Sequence, residues 1–209
     1  MASLDFRETG ARVTFDPERN HRRSIRLKGY DYSSEGAYFI TICTKDRECF
    51  LGEIAQGEAR INPAGNAIKY WWIELQNKFE NIELDEYIIM PNHIHGIIYI
   101  TNVGADLRVC PAENRTNTDK GEHIGSPLHR FIQWFKTMSI NEYIAGVNHY
   151  GWHRFNGKLW QRNYYERIIR DKEELNRVRE YIANNPMRWA EDENNPVNIK
   201  PFCGYDTSR

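Results

Sequence analysis

The chain has no run of about 18 apolar residues of the kind that crosses a bilayer, no CxxC pair among its four cysteines and no internal repeat. The first absence excludes a helical membrane span. The second argues against a zinc ribbon or a disulfide framework, so Cys43, Cys49, Cys110 and Cys203 read as reduced thiols. The third excludes a solenoid or propeller. The opening stretch MASLDFRETGARVTFDPERNHRRS also lacks the apolar centre and small-residue cleavage site of a secretory signal, and a cytoplasmic protein is the expectation. No large charge of one sign is present either, since the formal net charge is −1.

What is present suits one globular domain. Hydrophobic residues make up 40% and charged residues 27% of 209 positions, close to soluble averages and enough for a single core. Basic residues are clustered although the total is near neutral. Residues 19–28, RNHRRSIRLK, bring together Arg19, Arg22, Arg23, Arg26 and Lys28 without an acid, and Arg154, Arg162 and Arg167 recur later among Trp152, Trp160 and Tyr164. Cations interleaved with aromatic rings fit phosphate binding and base stacking, and they equally fit a solvated basic face.

Periodicity divides the chain into a basic arm over 1–29, a domain over 30–190 and a tail over 191–209. The run YFITICT (38–44) reads as a buried strand. Ile68, Trp71, Trp72, Leu75 and Phe79 recur at helical spacing over 65–79. The stretch 84–100 holds two strand-like halves around Pro91-Asn92, and 101–127, rich in Gly, Asn, Thr and Asp, reads as a mobile loop insertion. A second helix is expected over 128–145, a strand over 159–169, and a final helix that begins at the cap Asp171 and stops before Pro186. The order β-α-β-β-α-β plus a C-terminal helix predicts an α+β sandwich of the ferredoxin-like or RRM-like kind.

Two constellations carry chemistry. His93-Ile94-His95 lies at the start of an apolar strand, where residues i and i+2 share a face, so both imidazoles can take one metal ion while Ile94 turns to the core. Standing after the turn, the pair is expected to be exposed at the edge of a sheet. On the residues alone it fits either a metal site or a polar strand face. Tyr181 and Asn185 lie four apart on the last helix and so on one face. On spacing alone a tyrosine there is equally a core-edge residue.

The stretch EYIIMPNHIHGIIYI (86–100), followed by LWQRNYYERIIRDKEELNRVREYIANNP (159–186), resembles the single-tyrosine HUH transposases, in particular the REP-associated tyrosine transposases. The resemblance spans roughly residues 30–190. It implies that His93, His95 and Asn185 hold a divalent metal and that Tyr181 is the nucleophile; nitrogen and oxygen ligands without a thiolate suit magnesium or manganese. It also implies a transposase or endonuclease that cuts and rejoins single-stranded, hairpin-forming DNA through a 5′-phosphotyrosine, acting at the nucleoid as a monomer or homodimer. The last helix then becomes a catalytic helix, and Arg19, Arg22, Arg23, Arg26, Lys28, Arg154, Arg162, Tyr164 and Arg167 become the DNA contacts, with Trp152 and Trp160 as further stacking residues. Two other readings remain: a domesticated hairpin-DNA-binding protein that no longer transposes, and a metal-dependent phosphodiesterase working from the histidine pair alone.

Overall fold

A computed structural model describes residues 35–101 and 127–198. The expected arm, most of the expected loop insertion and the end of the tail, with Arg19, Arg22, Arg23, Arg26, Lys28, Cys110 and Cys203, lie outside the described residues.

β1 (Gly36–Cys43), a β2–β3 hairpin (Gly52–Ala55 and Glu58–Ile61), α1 (Pro63–Lys78), β4 (Ile82–Ile89), β5 (His93–Ile100), α2 (Pro127–Tyr150), β6 (Tyr165–Ile169) and α3 (Lys172–Asn184) follow in chain order. The main sheet runs β4-β5-β1-β6 with every neighbour antiparallel. This is the split β-α-β arrangement expected of a ferredoxin-like α+β protein, with α3 added.

Alternation along the strands sorts the side chains into two layers. Tyr38, Ile40 and Ile42 of β1 and Ile94, Ile98 and Ile100 of β5 join the core that holds Trp72 of α1 and Phe135 of α2. On the opposite face Ala37, Phe39, Ile97 and Ile169 form a smaller core with Ile182 of α3, flanked by Leu175 and Val178. Gly96 faces α1, where a Cβ would come within 2.4 Å of Trp72 Cζ2, so the indole occupies the space that a side chain would need.

α3 starts where the sequence expects. The Asp171 carboxylate accepts from Glu174 N at 2.7 Å, and the Glu174 side chain accepts in turn from Arg170 N at 3.0 Å, a reciprocal cap that satisfies two otherwise unpaired donors. Arg179 then grips Asp85 of β4 through Nε and Nη2, the shortest contact being 2.6 Å, which docks α3 across the sheet.

Three expectations need correction. The β2–β3 hairpin has no counterpart in the sequence reading; it turns at Gln56 and Gly57, both with positive φ (57° and 78°), the pair a tight hairpin of this kind requires. The strand expected over 159–169 is shorter, because Leu159 and Trp160 are buried in the helical core and Trp160 makes an isolated bridge to Thr44, while the ladder to β1 begins at Tyr165. Trp160 donates its indole N–H to Ser139 Oγ at 2.9 Å inside that core, so it is not available to stack on a base.

Candidate metal and tyrosine site

His93 and His95 leave the sheet on the α3 side, directly across from Cys43 and Thr41 of β1. Their shared face follows from the two-residue period of the strand. Their burial does not: β5 is an inner strand, and both imidazoles are almost wholly buried, beneath Tyr181 and Trp189. The expectation of an exposed pair at a sheet edge is thus corrected by strand order and by the chain that folds over it.

Each ring is oriented by a second residue. Asn92 donates its Nδ2 hydrogens to the carbonyls of Arg47 and Asn194, both at 2.8 Å, and this fixes its Oδ1 as the acceptor for His93 Nδ1–H, also at 2.8 Å. His93 Nε2 is therefore left with its lone pair. His95 Nδ1 lies 2.8 Å from Thr41 Oγ1, and the two Nε2 atoms face each other at 3.1 Å.

Asp192 completes the group. Its Oδ1 accepts from Asn194 N at 2.6 Å, while Oδ2 points to His93 Nε2 at 3.8 Å and has no hydrogen-bond donor. His93, His95 and Asp192 present ligand atoms all within 4.8 Å of one another. Asn185, at the end of α3, is buried as well, and its Oδ1 also lacks a hydrogen-bond donor. Two nitrogens 3.1 Å apart are spaced as ligands about 2.1 Å from one ion near a right angle would be. Two orphaned buried oxygens beside two bare or shared imidazole nitrogens fit a divalent cation, since a buried acceptor without a donor costs about 1–3 kcal/mol unless something positive meets it.

Electrostatics keep the histidines neutral. Burial pushes His93 down to about 3, the Arg47 charge pushes the same way, and only Asn185 opposes. Burial likewise holds His95 well below the ordinary histidine value, with His93 adding to the effect and Asp192 opposing it. Neutral imidazole is the form that binds metal.

Tyr181 stands at the lip of this group. Its hydroxyl lies 3.4 Å from His95 Nε2, its ring packs edge-on against Phe39 at 5.9 Å, and 40% of the residue remains exposed. Burial raises its pKa, Asp192 and Glu193 raise it further, and Asn185 and Arg188 oppose them. The i, i+4 partner Asn185 is thus close enough to affect both Tyr181 and His93. A cleft of about 440 Å³ opens here, lined by Phe39, Arg47, His95, Tyr164, Tyr181 and Glu193 among others.

The other candidates are placed differently. Tyr164 and Tyr165 also line the cleft; Tyr164 stacks on His129, with Lys136 Nζ 5.7 Å from its ring centroid, and Tyr165 packs edge-on against Phe39 at 6.3 Å. Arg154 and Arg162 are exposed and do not line the cleft. Arg167 is bound at 2.5 Å to Glu174 of the α3 cap. Trp152 fills the space over Gly146 and packs on Tyr143 rather than on the cleft. Sequence reading missed Asp192, which lies in the segment taken as a tail; an acid soon after the Asn185-Pro186 helix stop, in the same short stretch as the expected ligand, was the available signal.

Fold and site together define an α+β protein with a buried His-His-Asp group and a half-exposed tyrosine at the mouth of a cleft. No known family profile matches the chain. It is 40% identical over 177 residues to an uncharacterized protein of Haemophilus influenzae, across 83% of this chain and 93% of that one. The chain belongs to the same family as that protein. Among solved structures it is similar to a REP-associated tyrosine transposase bound to a REP hairpin, with a TM-score of 0.48 and 14% identity over 78% of this chain and 74% of that one. It is also similar to a Deinococcus radiodurans protein provisionally named a transposase, with a TM-score of 0.42 and 16% identity over 76% of this chain and 97% of that one.

Proposed function

We propose that the protein is a transposase-type DNA strand transferase in which Tyr181 attacks a phosphodiester of single-stranded, hairpin-forming DNA. The observation that carries this reading is the position of Tyr181 Oη, 3.4 Å from His95 Nε2 and at the mouth of the cleft that exposes the histidine group. A core-edge tyrosine has no need to point its oxygen at such a group.

The ligand set is His93 Nε2, His95 Nε2, Asp192 Oδ2 and Asn185 Oδ1. Imidazole nitrogens with carboxylate and amide oxygens and no thiolate suit magnesium or manganese. When bound, the ion would draw charge from a phosphoryl oxygen and offset the Asp192 charge that otherwise holds the proton on Tyr181. The protein does the rest. Asn92 and Thr41 hold the imidazole rings, and Phe39 and α3 hold the phenol near the reacting phosphorus.

In the step itself the Tyr181 Oη–P bond forms as the P–O3′ bond breaks. The phenolic proton passes to solvent at the mouth of the cleft, and the 3′-oxygen departs and takes a proton from solvent to become a hydroxyl. One phosphodiester is exchanged for another, so the 5′-phosphotyrosine can pass its DNA to a new 3′-hydroxyl without ATP. A nucleophile on a helix inside a cleft does not reach phosphorus in a stacked duplex, which favours single strands as substrate.

The test uses single-stranded DNA that folds into a hairpin, chosen from any inverted repeat found beside the gene, with manganese. Wild-type protein is expected to form a covalent DNA adduct that survives a denaturing gel, and Tyr181→Phe none, with Tyr164→Phe and Tyr165→Phe as controls that still form it. Binding without cleavage by the wild type would favour a domesticated DNA-binding protein. Cleavage with no adduct would move the chemistry to water and the protein to the phosphodiesterases.

A further inference from the structure

The connection from β1 to β2 contains two consecutive non-glycine residues in the left-handed region, Asp46 at φ 57° and Arg47 at φ 58°. Side chains there cost about 1–2 kcal/mol each, and such strain persists only where surrounding bonds over-determine it. They do so here. Thr44 N donates to Asn92 O at 2.8 Å, the buried Thr44 hydroxyl is shared between the carbonyls of Glu48 (2.8 Å) and Asn92 (3.0 Å), and Lys45 N donates to Leu159 O at 2.7 Å. The Arg47 carbonyl is itself held by Asn92 Nδ2, and the same amide orients His93. One buried side chain thus ties the Arg47 backbone to the histidine group.

The half-buried Arg47 side chain lines the cleft together with His95 and Tyr181. Among the described residues lining it, Arg47 is the cation and Glu193 its charged counterpart. No ion pair joins Arg47 to a carboxylate among the described residues, and its charge is felt within the site, opposing the upward push of burial on the Cys43 thiol. A guanidinium held near a nucleophile and not spent on a carboxylate is suited to a phosphate, which it can meet through two parallel N–H groups.

We infer that Arg47 is a catalytic residue that holds the non-bridging oxygens of the phosphodiester presented to Tyr181. The inference rests on the strand-transferase reading and adds to it a group supplied by a strained turn. It also gives the strain a purpose: a relaxed turn would have no reason to keep two left-handed side chains beside the site.

The test separates the two layers. Full-length wild type, Arg47→Gln, Arg47→Met and Arg47→Lys are titrated with a labelled oligonucleotide that forms a short hairpin beside a single-stranded flank of about 20 nucleotides, in EDTA, between about 50 and 200 mM salt. The wild type is expected to bind, with affinity falling as salt rises. The Gln and Met variants should bind about tenfold more weakly, with the log–log salt slope reduced by about 0.7, the share of one phosphate on a single strand. Arg47→Lys should restore the slope. On a strand that the wild type cuts with manganese, a neutral methylphosphonate at the scissile linkage should slow the wild type far more than Arg47→Gln, because the variant has already lost the partner of that charge. Melting temperatures should be unchanged, since the bonds that fix the turn involve the Arg47 main chain. Absence of DNA binding by the wild type would overturn the strand-transferase reading and this inference with it. Binding by wild type and variants alike with equal slopes, a Lys variant with the slope of the Gln variant, or equal slowing by methylphosphonate would overturn the role of Arg47 alone.

Discussion

His93 Nε2 and His95 Nε2 face each other at 3.1 Å, and each ring is held from behind, His93 by Asn92 and His95 by Thr41. Asn92 Oδ1 can only accept, so His93 keeps its proton on Nδ1. The Thr41 hydroxyl can donate to His95 Nδ1 when the proton of that ring lies on Nε2, or accept from it when the proton lies on Nδ1. A cation held by His95 Nε2 would require the second arrangement, with the proton on Nδ1 and the hydroxyl accepting. A hydroxyl serves both states because it is donor and acceptor at once.

Manganese should therefore stabilise the protein and EDTA should reverse the effect, by about 2.7 kcal/mol at a hundredfold excess over the dissociation constant. His93→Ala, His95→Ala and Asp192→Asn should each lose most of that gain in a thermal-shift titration. A wild-type melting curve indifferent to manganese would count against the ligand set. Because both histidines are buried, their alanine variants should also lose about 1–3 kcal/mol in EDTA, measured by urea unfolding.

Asn92→Ala removes the acceptor for His93 Nδ1 and the donor to two carbonyls, all in a buried setting. With each stranded group costing about 1–3 kcal/mol before relaxation, a net loss of about 2–4 kcal/mol is expected from chemical denaturation. Manganese affinity should fall about 10- to 100-fold by calorimetry, the usual effect of losing a group that orients a ligand.

Gly96→Ala should act through the opposite face of β5. Its Cβ would meet Trp72, which is packed against the core and cannot yield freely, so an overpacking cost of about 1–3 kcal/mol is expected. The displacement is carried along β5 to His95, and weaker manganese binding by the folded variant is the measurement that distinguishes this from a uniform loss of stability.

Acid should destabilise the metal-free protein through His93. The folded group titrates near 3 and the unfolded one near 6.5, so the unfolded chain binds more protons between those values. The stability from this group is then fully present above about pH 6.5 and is lost as pH falls toward 3, with a limiting slope near 1.4 kcal/mol per pH unit from His93 and a further contribution of the same sign from His95. Urea unfolding across that range in EDTA should show the slope in the wild type and a shallower one in His93→Gln.

The sequence determined by itself whatever depends on neighbours within a few residues. The β-α-β-β-α-β order, the Asp171 cap, the shared face of His93 and His95 and the shared face of Tyr181 and Asn185 all follow from periods of two or 3.6 residues. Nothing local determined that β5 would be an inner strand, and so the histidines read as exposed although they are buried. Nor did local pattern join Asp192 to them: the tail is held over the site by bonds such as Asn92 Nδ2 to Asn194 O, between groups 102 residues apart. Trp160 read as a stacking residue for the same reason, because its partner Ser139 lies on a helix whose position only packing decides. Local periodicity records which side chains point the same way; which buried donors and acceptors meet is settled only when the whole chain has collapsed and every polar group must find a partner.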